Sequence, residues 1–548
     1  MIEEDIMQTL TGLCKTISRK SEIQGGCIYG SRAGGYAKEE SEYDILLILK
    51  EFKKGIQSVH TRSGTIQVAI LVVDRALFES DIRSGALGEF LSTRLLSPHF
   101  FMFNDIYMTR QELRVKKRFV EEEIENIVIR YGSMATGLLI APEYFALARL
   151  RKMAAFYPAL MYGYVQMLHG ELKQTNLPRI SAGYTTILNE LQQKGTISFQ
   201  DGLARVQDDA VAHILSRRSV ERIANAIHIT KKLFYSYMSR GRGSGTRLEL
   251  LIRELGSVIG TDLGPMNAEY NPQDPRSFLF LRTSTGKVGL DESKSILEVV
   301  HKIRPGTPVT ISPLAGVLNE VTLVTSGDER FVAKRFTDWL TLKWFTLNLV
   351  TFGTKRFSVL GRTRLSNEYG MNRLLSDKGI LVPEIVHISI PDRLLIERFV
   401  DGLNIGELVK RAAQSEQITA SEYETAVGLG RALANIHSID VVIGDSKPEN
   451  LVASSEKNIY VLDLEQAERR GDPSWDVAVL LFYSGHYSPL MTQGLDQFID
   501  GFACGYLDRG KSDVLEKAAS FPYLRVFSIW TSPQVLYKIA QSLRKTRG

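Results

Sequence analysis

The stretch that most constrains this chain runs from Ile443 to Ala478. In it Asp445, Lys447 and Asn450 follow the pattern D-x-K-x-x-N, and a β-rich run, Asn458 to Leu462, delivers a second carboxylate, Asp463, at its end. These residue types are the ones phosphoryl transfer needs. One carboxylate orients a hydroxyl and accepts its proton, a lysine neutralises charge developing on a γ-phosphate, and an amide oxygen with a second carboxylate holds magnesium.

Upstream residues extend the pattern. Val309 to Val324 reads as two strands joined by a loop containing Gly316, which by resemblance to protein kinases would lie over phosphates. Val332-Ala333-Lys334 reads as a strand and resembles the V-A-x-K form of protein kinases shortened by one residue, a resemblance that implies Lys334 as the candidate for the α- and β-phosphates. Its position needs an anionic partner, and Glu368, in the helical segment Thr363 to Leu375, is the expected one. Leu394 to Phe399 is predicted to be a strand, and by the resemblance to kinases it would lead to a hinge where backbone groups of Glu397 to Val400 meet adenine. The insertion Asp338 to Gly361 is aromatic (Trp339, Trp344, Phe345, Phe352) and is read as core packing. Asp476 is placed at the start of an apolar helix, Val477 to Phe482.

In this order the motifs resemble those of protein kinases, and Lys447-Pro448-Glu449-Asn450 is the form many Ser/Thr kinases carry. Asp463-Leu464-Glu465 replaces Asp-Phe-Gly. Eight positions separate Asp463 from Gly471-Asp472-Pro473-Ser474-Trp475-Asp476, so regulation through a long activation loop is not expected. This compactness resembles the RIO kinases and the kinase subunit of the KEOPS tRNA-modification complex, and G-D-P-x-W-D is also similar to aminoglycoside and choline phosphotransferases. The resemblance covers residues 307–548. It implies Mg-ATP-dependent transfer to a Ser/Thr hydroxyl of a protein substrate. Asp445 would act as base or orienting group, Lys447 as charge neutraliser, Asn450 and Asp463 as Mg2+ ligands, Lys334 as a phosphate clamp held by Glu368, and Glu465 as a supplement to the metal site. By the same resemblance Asp476 braces the catalytic loop. Small-molecule phosphorylation is the first alternative, and an RNA or tRNA-modification partner is a further implication.

Near the N-terminus a helix over residues 2–20 precedes a strand, Cys27 to Tyr29. The sequence Gly30-Ser31-Arg32-Ala33-Gly34-Gly35 follows, and Ser41-Glu42-Tyr43-Asp44 then enters the strand Ile45 to Leu49. This G-S-x-A-x-G…S-[DE]-x-D pattern is similar to nucleotidyltransferases of the DNA polymerase β superfamily. The resemblance implies that Gly30 and Ser31 bind a triphosphate at a helix start and that Glu42 and Asp44 share magnesium. A third carboxylate is expected on the strand Thr65 to Val73, where Gln67 and Ala69 stand instead; Asp74 lies at its end. Nucleotidyl transfer, or nucleotide binding without turnover, is therefore a further alternative.

From Glu112 to Met238 the periodicity is helical. Leu147, Leu150, Met153, Tyr157, Leu160, Tyr164 and Leu168 form a stripe that Pro158 is expected to kink. A helix Val220 to Tyr237 capped by Ser219 follows, and Arg240-Gly241-Arg242-Gly243-Ser244-Gly245 reads as a linker. The expected architecture is a multidomain α+β protein: a nucleotidyltransferase-like α/β domain at 1–110, a helical domain at 111–239, a linker and small unassigned region at 240–306, and a bilobal kinase-like domain at 307–548. A length of 548 residues suits several cores rather than one.

No apolar run reaches the roughly 18 residues of a membrane span, so no membrane partner is expected. A net charge of +5 over this length does not by itself call for a polyanion, and the basic end, Arg544-Lys545-Thr546-Arg547, is read as solvated charge. Cys14, Cys27 and Cys504 are scattered, which gives neither a disulfide framework nor a zinc site and fits a reducing cytoplasm. The acidic start MIEEDIMQTL does not match a secretory leader.

Overall fold

The computed structural model describes residues 3–18, 21–156, 158–216, 273–314, 319–338, 360–488, 490–528 and 531–545. The chain is mixed α and β with several sheets. It divides into two compact units, the first of residues 1–130 and 139–279, the second of residues 131–138 and 280–548. The segments 217–272, 315–318 (with Gly316) and 339–359 (with Trp339, Trp344, Phe345 and Phe352) lie outside the described residues, as do the helix expected at Val220 and the linker at Arg240.

The first unit opens with helix α1 (Glu4–Ser18) and strand β1 (Ile23–Tyr29). The short helix α2 (Ser31–Gly34) and strands β2 (Tyr43–Leu49), β3 (Ile56–Ser63) and β4 (Ile66–Asp74) follow. Helix α3 (Arg75–Ser84) and strand β5 (Phe100–Phe103) complete a sheet of order β3-β4-β2-β1-β5, in which only β2 and β4 run parallel. The apolar run Ile45–Leu49 is wholly buried, as expected of a central strand covered on both faces. After α4 (Asp105–Tyr131) and β6 (Leu138–Ile140), the helical stripe is two helices, α5 (Pro142–Phe156) and α6 (Pro158–Met167). Pro158 starts the second helix, because proline lacks the N–H a helix interior needs but is tolerated in its first turn. Helix α7 (Gly170–Gln193), the hairpin β7 (Ile197–Gln200) and β8 (Leu203–Val206), and helix α8 (Asp208–Ser216) follow.

The second unit includes a hairpin, β9 (Leu279–Thr283) and β10 (Gly286–Gly289), at the Ser284-Thr285-Gly286 turn, and helix α9 (Ile296–Ile303), closed at its N-terminus by a capping box of Ser295 and Glu298. Residues 280–306, unassigned in the sequence, thus fold with this unit. Strands β11 (Val309–Pro313), β12 (Glu320–Ser326) and β13 (Glu329–Arg335), helix α10 (Gly361–Asp377), and strands β14 (Ile385–Ser389) and β15 (Leu394–Arg398) make an antiparallel sheet of order β11-β12-β13-β15-β14. Alternation along β13 sends Phe331 and Ala333 into the core with Leu394 and Ile396 of β15. The same alternation turns Lys334, paired with Leu395, to the opposite face.

The rest is helical with short ribbons. Strand β16 (Leu403–Asn404), helices α11 (Ile405–Ala413) and α12 (Ala420–Ser438), strand β17 (Val441–Val442), strands β18 (Leu451–Ala453) and β19 (Ile459–Val461), and strand β20 (Glu468–Arg469) lead into α13 (Pro473–Ser484). Helices α14 (Gln493–Leu507), α15 (Ser512–Ala518), α16 (Phe521–Phe527) and α17 (Pro533–Lys545) close the unit around a core that includes Leu429, Leu433, Val477, Leu480 and Phe502. Arg544 of the basic end donates to the Ala519 carbonyl, 2.7 Å away.

Helix α10 is seated by residues far away in sequence. Residues 131–138 lie against it: Met134 N donates to Ser366 Oγ (3.1 Å), Ser133 Oγ donates to Asn367 Oδ1 (2.9 Å), and Ser366 Oγ donates to the Tyr131 carbonyl. Gly370 lets the two backbones meet, since a methyl there would overlap the Ser133 carbonyl. Tyr369 OH accepts from Arg282 N at 2.9 Å and tethers the helix to β9. Gly370→Ala is therefore expected to cost about 1–3 kcal/mol. Denaturant unfolding of the full chain checks this, with a lowered midpoint for the transition of the second unit.

Candidate active sites

In the second unit, Lys334 Nζ is bonded to Glu368 Oε1 on α10 at 2.7 Å, to Glu397 Oε2 on β15 at 2.9 Å and to the Leu462 carbonyl at 2.8 Å. Burial works against the ammonium, but Glu368, Glu397 and Asp463 outweigh it and hold it well above the ordinary lysine value. The backbone of Glu397 is the part expected at the hinge; its buried side chain in addition gives Lys334 a second carboxylate. The signal was present in the sequence as a charged residue inside the apolar strand Leu394–Arg398, on the face that Leu395 shares with Lys334.

The second oxygen of Glu368 accepts from Leu464 N at 2.6 Å, so one carboxylate fixes both the lysine and the residue after Asp463. Asp463 directly follows the ribbon of antiparallel β18 and β19, where Leu462 N donates to the Asn450 carbonyl at 2.9 Å. The side-chain amide of Asn450 donates to the Asp445 carbonyl at 2.8 Å, and Lys447 Nζ donates to Asp445 Oδ2 at 2.8 Å. Burial raises the Asp445 carboxyl above its ordinary value, with Lys447 opposing. Burial also opposes the charge on Lys447, but Asp445 outweighs it and pushes the amine up to about 12. The oxygens of Asn450 and Asp463 are hard donors of the kind magnesium takes.

Asp476 supports this loop from below. Its carboxylate accepts from Ile443 N (2.7 Å) and Gly444 N (2.8 Å) and contacts His437 Nε2 (3.1 Å), while the His437 Nδ1 meets Tyr506 OH at 2.7 Å. Trp475 Nε1 donates to the Gly444 carbonyl, and Ser446 Oγ donates to the Asp476 carbonyl, both at 2.8 Å. Asp472 caps α13 by accepting from Ser474 N. Glu465, expected to supplement the metal site, has its Oε2 bonded to Arg364 and Asn319, and its carboxyl is raised by burial and by the nearby Asp463 charge. His437 and Arg364 carried no sequence signal, because their roles depend on what the fold packs against them.

In the first unit, Gly30 sits at φ 80° with the Asp44 carboxylate against its Cα, so the Gly30-Ser31 turn and β2 meet. Any side chain at Gly30 would overlap Asp44. Helix α7 supports the turn: Asn176 Nδ2 donates to the Gly34 carbonyl (2.9 Å) and Arg179 Nη1 to that of Ala33 (3.0 Å). Burial pushes the Asp44 carboxyl up to about 6, the Glu42 charge adds to this and Arg94 opposes it. Glu42 faces His60 Nδ1 at 3.4 Å. The register places Ala69 beside Asp44 and His60 beside Ala69, so the neighbouring position on β4 holds no carboxylate. Asp74 is occupied elsewhere, accepting from Ala76 N and Phe52 N, both at 2.8 Å. Among the described residues, no group of three His, Cys, Asp or Glu side chains converges as a metal site.

No family model matches the chain, and no curated protein does. Solved structures that it resembles include the Rv3197–erythromycin complex from Mycobacterium tuberculosis, at 14% identity and a TM-score of 0.22, covering 32% of this chain and 51% of that one. The chain thus spans about half the length of that structure. Another is the nucleotidyltransferase-like protein from Exiguobacterium sibiricum 255-15, at 14% identity and a TM-score of 0.18, covering 59% of this chain and 98% of that one.

Two expectations follow from the geometry. Asp476→Ala strips the acceptor from two buried backbone N–H groups and is expected to cost on the order of 3 kcal/mol, with faster amide exchange at Ile443 and Gly444. Asp44 has a raised carboxyl pKa, so the folded state holds its proton where the unfolded chain has lost it, and stability falls as pH rises from the ordinary aspartate value through about 6. Asp44→Asn should therefore raise the thermal midpoint at pH 7 and lose that advantage below pH 4, which calorimetry at the two pH values will show.

Proposed function

We propose that the second unit transfers the γ-phosphoryl group of Mg-ATP to a hydroxyl. One observation carries the reading: a lysine clamped by two buried carboxylates, Asp463 beside Asn450, and an Asp445–Lys447 pair on a braced loop belong to one unit and are tied together by hydrogen bonds. Lys334 would bind the α- and β-phosphates, with Glu368 and Glu397 fixing its position. Asp445 would orient the acceptor hydroxyl and take its proton as the new P–O bond forms and the bond to the ADP oxygen breaks. Lys447 would offset charge on the transferred group. Magnesium, when bound, would be held by Asn450 and Asp463 and would neutralise phosphate charge.

For the acceptor, a Ser/Thr hydroxyl of a protein is the first reading. It is supported by the short passage from β15 to the loop, whose helices are α11 and α12 alone, with the two-residue strands β16 and β17, and which so adds little from which to build a small-molecule pocket. A small-molecule hydroxyl is the second. It is favoured by the direct run from Asp463 through β20, paired with β17, into α13 at Pro473, which forms no extended segment on which a peptide could lie. Nucleotidyl transfer by the first unit is a third reading, motivated by the meeting of Gly30, Ser31, Glu42 and Asp44; Ala69 in the place of a third carboxylate weighs against it.

The test incubates the full-length protein with magnesium and ATP labelled at either the α- or the γ-phosphate, then follows label into the protein, a generic protein acceptor and a panel of small hydroxyl compounds. Label from the γ position is expected, reduced roughly 100-fold or more in Asp445→Asn and abolished in Lys334→Met. Label from the α position that vanishes in Asp44→Ala would transfer the activity to the first unit. Since Asp445 must be ionised to take a proton and its carboxyl is raised, the acid limb of the γ-transfer rate should lie above the ordinary aspartate range.

A further inference from the structure

Arg364 is completely buried on α10, one turn before Glu368. Its Nη1 donates to Glu465 Oε2 at 3.0 Å and to Asn319 Oδ1 at 2.8 Å, and its Nη2 donates to the Thr337 carbonyl. Asn319 returns its own amide to the same Glu465 oxygen at 2.8 Å, closing a three-membered ring of hydrogen bonds. Asn367, on the same helix, donates to the Glu465 carbonyl at 3.2 Å.

Together with the Glu368–Leu464 bond, these contacts attach Asp463-Leu464-Glu465 to α10 at three points: Glu368 holds the Leu464 amide, Asn367 the Glu465 carbonyl and Arg364 the Glu465 carboxylate. Asn319 ties the same cluster to the start of β12, three residues after Gly316. No glycine stands between Asp463 and Gln466 to let the segment turn over. A buried charged pair costs desolvation unless further hydrogen bonds complete it, and Asn319 and Thr337 supply them here. A surface pair would not specify one arrangement so strictly.

We infer that Arg364, Asn319 and Glu465 form a permanent latch that positions Asp463 for the metal–nucleotide, so that the site is assembled without a separate activation step. The inference rests on the phosphotransferase reading. None of the three need touch the reacting atoms; they are positioning residues that act through Asp463 and Glu368. In a switchable site, helix and carboxylate segment part in a resting state. Here α10 is pinned on one side by the latch and on another by residues 131–138.

The test uses the full-length protein with Glu465→Gln, Asn319→Ala and Glu465→Asp. Three quantities are read: magnesium-dependent binding of a non-hydrolysable ATP analogue, KM for Mg-ATP against kcat in γ-transfer, and amide exchange at Leu464. Glu465→Gln and Asn319→Ala are expected to weaken magnesium-dependent binding roughly tenfold, the usual effect of removing a group that orients a metal ligand. KM should rise more than kcat falls, Leu464 exchange should quicken, and Glu465→Asp should recover part of the loss. A thermal midpoint near the native one shows that each variant is folded. Folded variants whose magnesium dependence and Leu464 exchange match the native protein would overturn the latch. A native protein that binds no magnesium–nucleotide would instead overturn the phosphotransferase reading, and Leu464 exchange in the variants would still report whether the latch holds the segment.

Discussion

A lysine ammonium inside a protein is tolerable only where carboxylates meet it, and the placement of Lys334 governs the second unit. Its charge needs Glu368 and Glu397, which come from a helix and a strand on either side of it. Glu368 cannot serve the lysine unless α10 lies across the sheet at one height and rotation. That position is set by the Gly370–Ser133 approach, the Tyr369 tether and the Arg364 cluster. One ion pair thus depends on segments as distant in sequence as residues 131–138 and 465.

Below the lysine a second buried charge does comparable work. Asp476 accepts the two backbone N–H groups of Ile443 and Gly444, which a tight loop would otherwise bury unpaired. The loop then presents Asp445, Lys447 and Asn450 from fixed backbone positions. The pairing of β18 with β19 brings the segment that carries Asp463 alongside Asn450 through the Leu462–Asn450 main-chain bond. Both halves of the site therefore hold their polar groups through main-chain contacts to buried acids, an arrangement suited to holding charged ligands in a set geometry.

The first unit shows the same economy with a different balance. Asp44 is held against Gly30 in surroundings that disfavour its charge, and α7 reaches back to fix the turn through Asn176 and Arg179. The strain on Asp44 is electrostatic: neither the Glu42 charge nor burial helps it ionise, and Arg94 only partly compensates. The neighbour of Asp44 on β4 is Ala69, so no third acid adds to the repulsion that already opposes the Asp44 charge.

Sequence alone determined several elements and the spacing of the polar residues on the loop. Alternation along Glu329–Arg335 separates Lys334 from the core, the run Ile45–Leu49 specifies a buried strand, Pro158 divides a helical stripe, and the D-x-K-x-x-N spacing survives because loop geometry over a few residues is local. Tertiary structure alone decided the partners. That Glu397 reaches Lys334, that Glu465 meets Arg364, that His437 contacts Asp476, and that residues 131–138 seat α10 all depend on chain segments tens to hundreds of residues apart. Period and spacing describe only neighbours along the chain, whereas a buried charge is satisfied by whatever the folded core brings within about 3 Å of it.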